Sequence, residues 1–539
     1  MSEKITTSRI PLLWITIPFA FGIIASEQFL RLPLSLSLAL SGTAAALSVY
    51  FSRKHTILWN ASICTSLFLV GNLYYSHLRS ANEVRQDFPS REAALEIRIK
   101  RIFTQNDLRT SGIATISHTD IHLEDFEGRS LFFSLRNNHP ENKPQVGSHH
   151  QVVGQIKSLK NEDDSSFNDY LKTTGQWGSL TYGNFKKQTK GPNILYIVSL
   201  RARHWIKETL GHSLDPQASF HKAYQAIMLG EKKALSSNQR DIFLRSGTMH
   251  LFAISGLHIG IIATCFVALF KLFRLSNKAI PIATLFGIAA FVFVSGGGAS
   301  AWRALLMISC YFLCQNLKLQ RSAMNALSLS ALICLLIDPR QIFQAGFQMS
   351  YSVVFAILLY GVPLAQKTKA FIQPFALIPR PLWQWHHTLI HKALHYIIDI
   401  VSISLAASTV SGLLTIKYFG AFPLIGILLS SFILPLASLA IIAGFCSLIS
   451  NLAFVAPLSA LFNHSAALLL LTIESLLQKI TDIPNGAIQN IPKENLSLIA
   501  VTGILGIMLW AYAHSWKVSL RWLWTSPIAL LGTIYLWVS

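Results

Sequence analysis

Charge is what this chain has least of. Its 539 residues are 13% charged and 52% apolar, with a mean hydropathy of +0.44, whereas soluble domains carry about 25% charged residues. That excludes an ordinary soluble protein and leaves a multi-pass membrane protein. Acid is scarcer than base, 25 residues against 45, and the net charge of +20 divides into +3 for residues 1–78, +4 for 79–205 and +13 for 206–539. Basic residues on a membrane half mark cytoplasmic loops or meet an anionic substrate or lipid, and the excess alone selects neither. The nine acids after residue 205 are scattered singly. Clustered ligands for a two-metal hydrolase are therefore missing, and neither a metal, a cofactor nor a catalytic residue is expected. The six cysteines (Cys64, Cys265, Cys310, Cys314, Cys334, Cys446) all lie in apolar stretches, so the polar insert has no disulfide framework or thiolate metal site.

Long apolar runs are what the chain has instead. Ile10 to Ser26, Leu32 to Ser52 and His55 to Leu78 are each near the length that crosses about 30 Å of hydrocarbon, which makes residues 1–78 a block of N-terminal spans. The first is a retained span, since more apolar runs follow it where a signal peptide would hand over to a soluble domain. With Lys4, Arg9, Arg53 and Lys54 inside, and only Glu27 and Arg31 in the first loop, the third span exits outward.

It delivers a polar insert outside. ALEIRIKRIF (94–103), SGIATISHT (111–119), RSLFFSLR (129–136), QVVGQIK (151–157) and GSLTYGNF (178–185) are short apolar-rich runs divided by turn residues, the pattern of about five strands. A small OB-like barrel over residues 79–193 is the expectation. Phe132, Phe133, Trp177, Tyr182 and Phe185 either stack bases or, as aromatics at strand spacing, fill the core. Residues 194–245 follow as amphipathic helices expected along the membrane surface, propping the insert over a pore mouth. Residues 246–539 form the main transmembrane domain. The fold class is thus an α-helical polytopic membrane protein with an inserted extracytoplasmic all-β OB-like domain.

The most informative run is GTMHLFAISGLHIGIIA (247–263), charge-free, with Ser255, Gly256, Leu257 and His258 in the middle of an apolar helix candidate and Gly260 just beyond. Glycine lets helix backbones approach, while histidine brings polar nitrogens that need partners. The combination suggests a polar path. Later spans keep Lys271, Arg274, Lys278, Lys318, Arg321, Lys367 and Lys369 on the cytoplasmic side. Beyond Ile473 that parity fails. The uncharged run from Tyr418 to Ile473, broken by Pro423, Pro435 and Pro457, must hold at least two spans, and two last spans are expected near 496–516 and 522–539.

MLGEKKALSSNQRDIFLRSGTMHLFAISGLHIG (228–260) closely resembles the signature of the ComEC family of competence proteins. GGASAWRALLM (297–307), with Gly297 and Gly298, is similar to the family's small-residue turn and Arg-Ala pair. IDPRQIFQAGFQMSYS (337–352), with Asp338, Pro339, Gly346, Gln348 and Ser350, is similar to its Asp-Pro and Gly-Phe-Gln-x-Ser motifs, and FNDYLKTTGQWGSL (167–180) to the end of its extracytoplasmic domain. SLAASTVSGLLTIKYFGAFPLIGILLSSFILPL (404–436) is a looser match, with Leu413 and Ser431 where the family commonly shows Pro and Asn. The resemblance spans about residues 10–440. It implies an inner-membrane channel conducting single-stranded DNA during natural transformation, in contact with membrane lipid, working after a DNA receptor or pilus and before a cytoplasmic helicase and single-strand-binding proteins.

Many family members add a C-terminal metallo-β-lactamase-like domain with a His-x-His-x-Asp-His signature. None of the 18 histidines here has another two positions away, so the expectation is a short form and a separate nuclease.

Arg303 carries the sharpest site reading. Fourteen uncharged residues separate it from Lys318, which puts it inside its span, where a charge costs about 2.5 to 3.5 kcal/mol on insertion scales. It either snorkels to the interface or contacts passing phosphates, with the glycines at 296–298 allowing close approach. Ser255, Gly256, His258, Gln348 and Ser350 are candidates for the same path, or make interhelical contacts. Gly260, Gly297, Gly298, Asp338, Pro339 and Gly346 are the structural motif residues. His387, His391 and His395, at i, i+4, i+8, have a metal-like spacing with no carboxylate among them and read as an interfacial amphipathic helix. Two other classes stay open: a membrane enzyme using Ser255 and His258 on a lipid-linked or phosphorylated substrate, and a small-solute transporter, for which no inverted repeat is visible.

Overall fold

The computed structural model describes residues 11–28, 33–52, 55–83, 88–119, 126–137, 143–159, 166–316, 323–422, 424–481, 488–489, 491, 496–513, 523–525 and 527–529. Lys4, Arg9, Arg31, Arg53, Lys54, Lys318 and Arg321, on which the loop-charge reading leans, lie outside these residues, as does most of the last expected span. Contacts divide the chain into two units, one of residues 14–202 with 332–344, the other of 1–13, 203–331 and 345–539.

The first unit begins with helices α1 (Pro11–Gln28), α2 (Leu34–Phe51) and α3 (Thr56–Glu83), which follow the three expected apolar runs. Gly71 packs α3 on α1, since a side chain there would strike the Phe19 carbonyl. Then β1 (Arg91–Gln105), β2 (Arg109–Thr119), β3 (Ser130–Arg136), β4 (His149–Ser158), α4 (Ser166–Thr173) and β5 (Gly178–Lys190) build a closed barrel in the order β1-β2-β3-β5-β4. All five expected strand runs lie in strands. Three register shifts bend the 15-residue β1, which pairs with both β2 and β4, and such bulges let one strand turn a barrel corner. Alternation along β3 turns Leu131, Phe133 and Leu135 inward, as a two-residue period requires. They share a core with Ile97, Ile99, Ile116, Val152, Ile156, Leu180 and Phe185. Trp177 stacks on Phe88, ring centroids 4.5 Å apart.

The second unit is helical. After α5 (Ile194–Gly211) it runs through α6 (Ser219–Leu229), α7 (Ser237–Arg245), α8 (Gly256–Leu272), α9 (Ala279–Val294), α10 (Ala299–Asn316), α11 (Ala323–Ile337), α12 (Ala345–Ala356), α13 (Val362–Phe371), α14 (Trp385–Phe419), α15 (Leu424–Leu452), α16 (Ala456–Thr481) and α17 (Leu496–Ala513). Among the described residues five helical segments are long and apolar enough to cross a membrane: Thr56–Arg79, Ala345–Phe371, Trp385–Phe419, Ser431–Leu452 and Ala456–Lys479. The protein is therefore mostly helical and polytopic. The uncharged run after Tyr418 yields the two expected spans, α15 and α16, with Pro435 inside α15, a position membrane helices tolerate.

The 194–245 stretch is helical, and the apolar face of α6 meets protein, whereas Ile194, Leu195 and Val198 of α5 are exposed. Tyr224, Ile227, Met228 and Leu229 of α6 are fully buried in a core shared with Ile433, Ala440 and Ile441 of α15 and Ala466 and Leu477 of α16. Polar latches fasten it. Asn463, fully buried in α16, donates to the carbonyls of Thr209 (2.8 Å) and His212 (3.2 Å) at the end of α5 and accepts from the Tyr224 hydroxyl at 3.3 Å. Glu474 accepts from Ser219 at 3.1 Å and Gln239 at 3.4 Å.

The His387, His391 and His395 stretch is not a separate interfacial helix. It forms the first turns of the 35-residue α14, because no Gly or Pro interrupts the run from Trp385 to the following span.

Candidate functional site

The run around Ser255 corrects the sequence expectation of one helix over 247–263. Gly247 has φ +70°, Met249–Phe252 makes a single 3-10 turn, Ala253 is extended, and α8 starts only at Gly256. The cause is local. Ser255 occupies the N-cap, which favours a small polar side chain, and the His258 ring closes the cap: Nδ1 lies 2.8 Å from the Ser255 hydroxyl and 3.4 Å from its amide N. The imidazole thus takes the role that Glu or Gln plays in a capping box. His258 is 3% exposed, and among the described residues it makes no ion pair. The first-turn N–H groups of α8 find no carbonyl within their own helix.

The close-packing role expected of the glycines is also corrected. A Cβ on Gly256 would meet only Ala304 Cβ at 4.0 Å, and one on Gly260 would meet nothing within 4 Å.

The start of α8 lies beside Ala304 of α10, the residue that a Cβ on Gly256 would touch. The neighbouring Arg303 is 5% exposed and donates from Nη2 to the Gly346 carbonyl at 2.8 Å, so the snorkelling alternative does not describe it. Two residues on, Gln348 of α12 accepts from the Tyr418 hydroxyl of α14 at 2.7 Å. Segments from four separate motifs, 247–263, 297–307, 337–352 and 404–436, are thereby linked within one unit.

The other motif residues divide. Ser350 is a half-buried residue of α12. Gly297 has φ +61° with the Trp302 indole over it, whereas Gly298 has no neighbour within 4 Å of a Cβ. Asp338 accepts from the Arg340 amide (3.2 Å) and Nε (2.9 Å), capping the 3-10 turn that starts at Pro339. Both belong to the first unit.

The profile of the competence-protein family matches residues 227–517. The chain belongs to the ComEC family of competence proteins. It is similar to ComE operon protein 3 of Bacillus subtilis, 25% identical over 318 residues, covering 59% of this chain and 37% of that protein. It is also similar to Recombination protein 2 of Haemophilus influenzae, 21% identical over 420 residues, covering 76% of this chain and 49% of that protein. The chain thus spans less than half the length of each curated relative it matches. No solved structure gives a significant match.

This competence-family unit also has supports that the sequence did not announce. Arg203 donates from Nε (3.1 Å) and Nη2 (2.9 Å) to the Val294 carbonyl at the end of α9, and faces Glu231 at 3.6 Å, which pairs with Lys207 at 2.7 Å. Gly296, at φ +99°, adopts a backbone conformation that favours glycine, and a Cβ there would press on Arg203 Nη2. The turn before α10, and so the position of Arg303, is held from α5. Glu231 stands out as an acid in a basic half, but nothing in its spacing names Arg203.

In the barrel, Phe133, Trp177 and Phe185 are core residues, which resolves their two readings. Tyr182 is 79% exposed with Lys157 Nζ 5.1 Å from its ring, and Phe132 packs on Phe167 of α4 at 5.2 Å. Among the described residues no group of three or more His, Cys, Asp or Glu is arranged to hold a metal ion.

Proposed function

We propose that the chain forms the channel through which a single strand of DNA crosses the cell membrane during natural transformation. One observation carries the reading: Arg303, buried in the helical unit, is bonded to Gly346 of a second motif segment, and its neighbour Ala304 lies beside Gly256 of a third. A guanidinium is a planar, permanently charged fork that matches the geometry of a phosphate. The start of α8 adds the positive end of a helix dipole, as broken membrane helices do at their substrates. A phosphodiester presents one negative charge per nucleotide. Ser255, Gly256, His258, Gln348 and Ser350 supply a polar lining that slides a strand without fixing it. Family membership and the names of the two relatives support this reading.

In this reading the barrel, within residues 79–193, is an OB-like domain on the outer face, residues 194–245 are helices at the membrane boundary, and 246–539 form the channel domain. In the barrel, exposed Tyr182 and half-buried Lys157 are the candidates for a base and phosphate contact. A receptor or pilus hands over DNA outside, a helicase and single-strand-binding proteins receive it inside, and a separate nuclease removes the second strand.

The test is photo-crosslinking during uptake of a labelled strand. A photoreactive residue at 255, 348 or 350 should capture the strand, and one at the outward Phe286, 79% exposed, should not. Equal capture at all four positions, or at none, rejects the path.

The contact between the Ser255 hydroxyl and His258 Nδ1 at 2.8 Å favours one second reading, a membrane enzyme with a serine nucleophile. Covalent labelling of Ser255 by a fluorophosphonate, lost in His258→Ala, would establish it.

A further inference from the structure

The stretch from Leu336 to Gln344, which joins α11 to α12, touches both the N-terminal spans and the barrel, all within the first unit. Asp338 is the N-cap of its 3-10 turn and Pro339 the first residue, a pair that fixes the backbone where the turn starts. One contact is with α3. The Tyr74 hydroxyl donates to the Leu336 carbonyl at 2.5 Å, and Phe343 packs on Tyr75 with ring centroids 5.6 Å apart. Tyr75 is itself tied to α1, since its hydroxyl donates to Glu27 at 2.9 Å and Arg79 pairs with the same carboxylate.

The other contact is with the end of α4. That helix closes in a Schellman turn: the Gln176 amide donates to the Leu171 carbonyl at 2.9 Å, the Gly175 amide donates to the Lys172 carbonyl at 3.0 Å, and Gly175 has φ +74°. The left-handed position favours glycine. Here it also leaves a bare backbone face that the Arg340 fork covers, since a Cβ on Gly175 would fall 1.9 Å from Nη1 and 2.5 Å from Cζ. A guanidinium at that point suits the negative end of a helix dipole. Gln344 adds a donor, Nε2, 3.4 Å from the Thr173 carbonyl. Asp338 aims the fork by accepting from Arg340 Nε at 2.9 Å. Two residues after Gly175 the chain enters the barrel core at Trp177.

We propose that Arg340 is a positioning residue: aimed by Asp338, it pins the turn between α4 and β5, and with it the barrel, to the N-terminal spans, and strand entry depends on that pin. Arg340 acts through the place of the barrel and not by contact with the strand. The stretch that carries the pin runs directly into α12, whose Gly346 accepts from Arg303, so a change in the turn reaches that helix through two residues of chain. The dependence of entry rests on the channel reading; the pin does not.

Hydrogen exchange on the full chain in nanodiscs tests the pin. Arg340→Ala should raise exchange in peptides spanning 170–177 about threefold or more, the scale of one part-exposed ionic contact. Peptides of β3 should keep their protection, because the barrel core does not use Arg340. No rise at 170–177, or an equal rise in β3, overturns the proposal. Uptake in a transformable host tests the consequence: Arg340→Ala should leave DNA bound outside at the parental level and lower its entry into the cytoplasm about threefold or more, while Arg340→Lys keeps part of the entry. Asp338→Asn separates position from charge. Asparagine still caps the turn but loses the ion pair, so a positioning Arg340 predicts lower entry. A cation that draws DNA predicts equal or higher entry, and that result overturns the positioning role. Normal entry by Arg303→Ala with the exchange result intact would sink the channel reading and leave the pin standing.

Discussion

The guanidinium of Arg303, a residue 5% exposed, and the carbonyl of Gly346, 43 positions apart, meet at 2.8 Å. A charge there needs partners, and this one is a backbone atom that any residue at 346 could supply. What residue 346 controls is space, since a Cβ would lie 3.2 Å from Arg303 Nη2.

Arg303→Ala should leave the protein inserted at normal level and lower DNA entry by about tenfold or more, as loss of a charge-assisted contact of about 1.5 to 3 kcal/mol implies. Arg303→Lys should keep part of the activity, because charge survives while the planar fork is lost. Labelled DNA recovered in the cytoplasm, set against immunoblot level, measures both. Normal entry by both variants would end the proposed role of Arg303.

The two motif glycines should respond differently. Gly256→Ala adds a methyl group with ordinary contact to Ala304, so uptake should stay within about twofold of the parent. Gly346→Val pushes the Arg303 fork away and should reduce uptake nearly as far as Arg303→Ala. The opposite ranking would contradict the geometry.

Asn463→Ala strands the carbonyls of Thr209 and His212 and the Tyr224 hydroxyl in a buried site. Each unsatisfied group costs about 1 to 3 kcal/mol, so the melting temperature of the solubilised protein should fall by several degrees. Ser465→Ala, at an exposed bond within α16, should leave it unchanged.

The barrel should weaken in acid. His150 lies between β4 neighbours with Nε2 2.8 Å from the Ser148 hydroxyl, and burial together with His149 pushes its pKa down to about 4. The unfolded histidine protonates near 6.5, whereas the folded one stays neutral, so stability is full above pH 6.5 and falls as pH drops toward 4. Hydrogen exchange in peptides of β4 and β5, corrected for intrinsic rates, should rise from pH 7 to pH 5, and His150→Phe should flatten that rise. Equal pH dependence in parent and variant would contradict it.

The sequence made the barrel legible because period-two alternation survives in each strand, as Leu131, Phe133 and Leu135 illustrate. It made the spans legible because lipid demands long uncharged runs. It misled at Ser255 and Gly256, where an unbroken apolar run hides a helix start. An N-cap serine followed by a histidine at N3 is the signal that was there to be used. The links from Arg303 to Gly346 and from Gln348 to Tyr418 could not be read, because contacts across 43 and 70 positions leave no mark in local spacing. The Arg203 and Glu231 support was hidden for the same reason.

The most direct measurement of the central claim is entry of labelled DNA into the cytoplasm of a transformable host lacking this gene, with and without a plasmid copy. The account predicts that the deletion stops labelled strand reaching the cytoplasm while leaving DNA bound outside, and that the intact copy, but not Arg303→Ala, restores entry. Normal cytoplasmic entry in the deletion strain would contradict it.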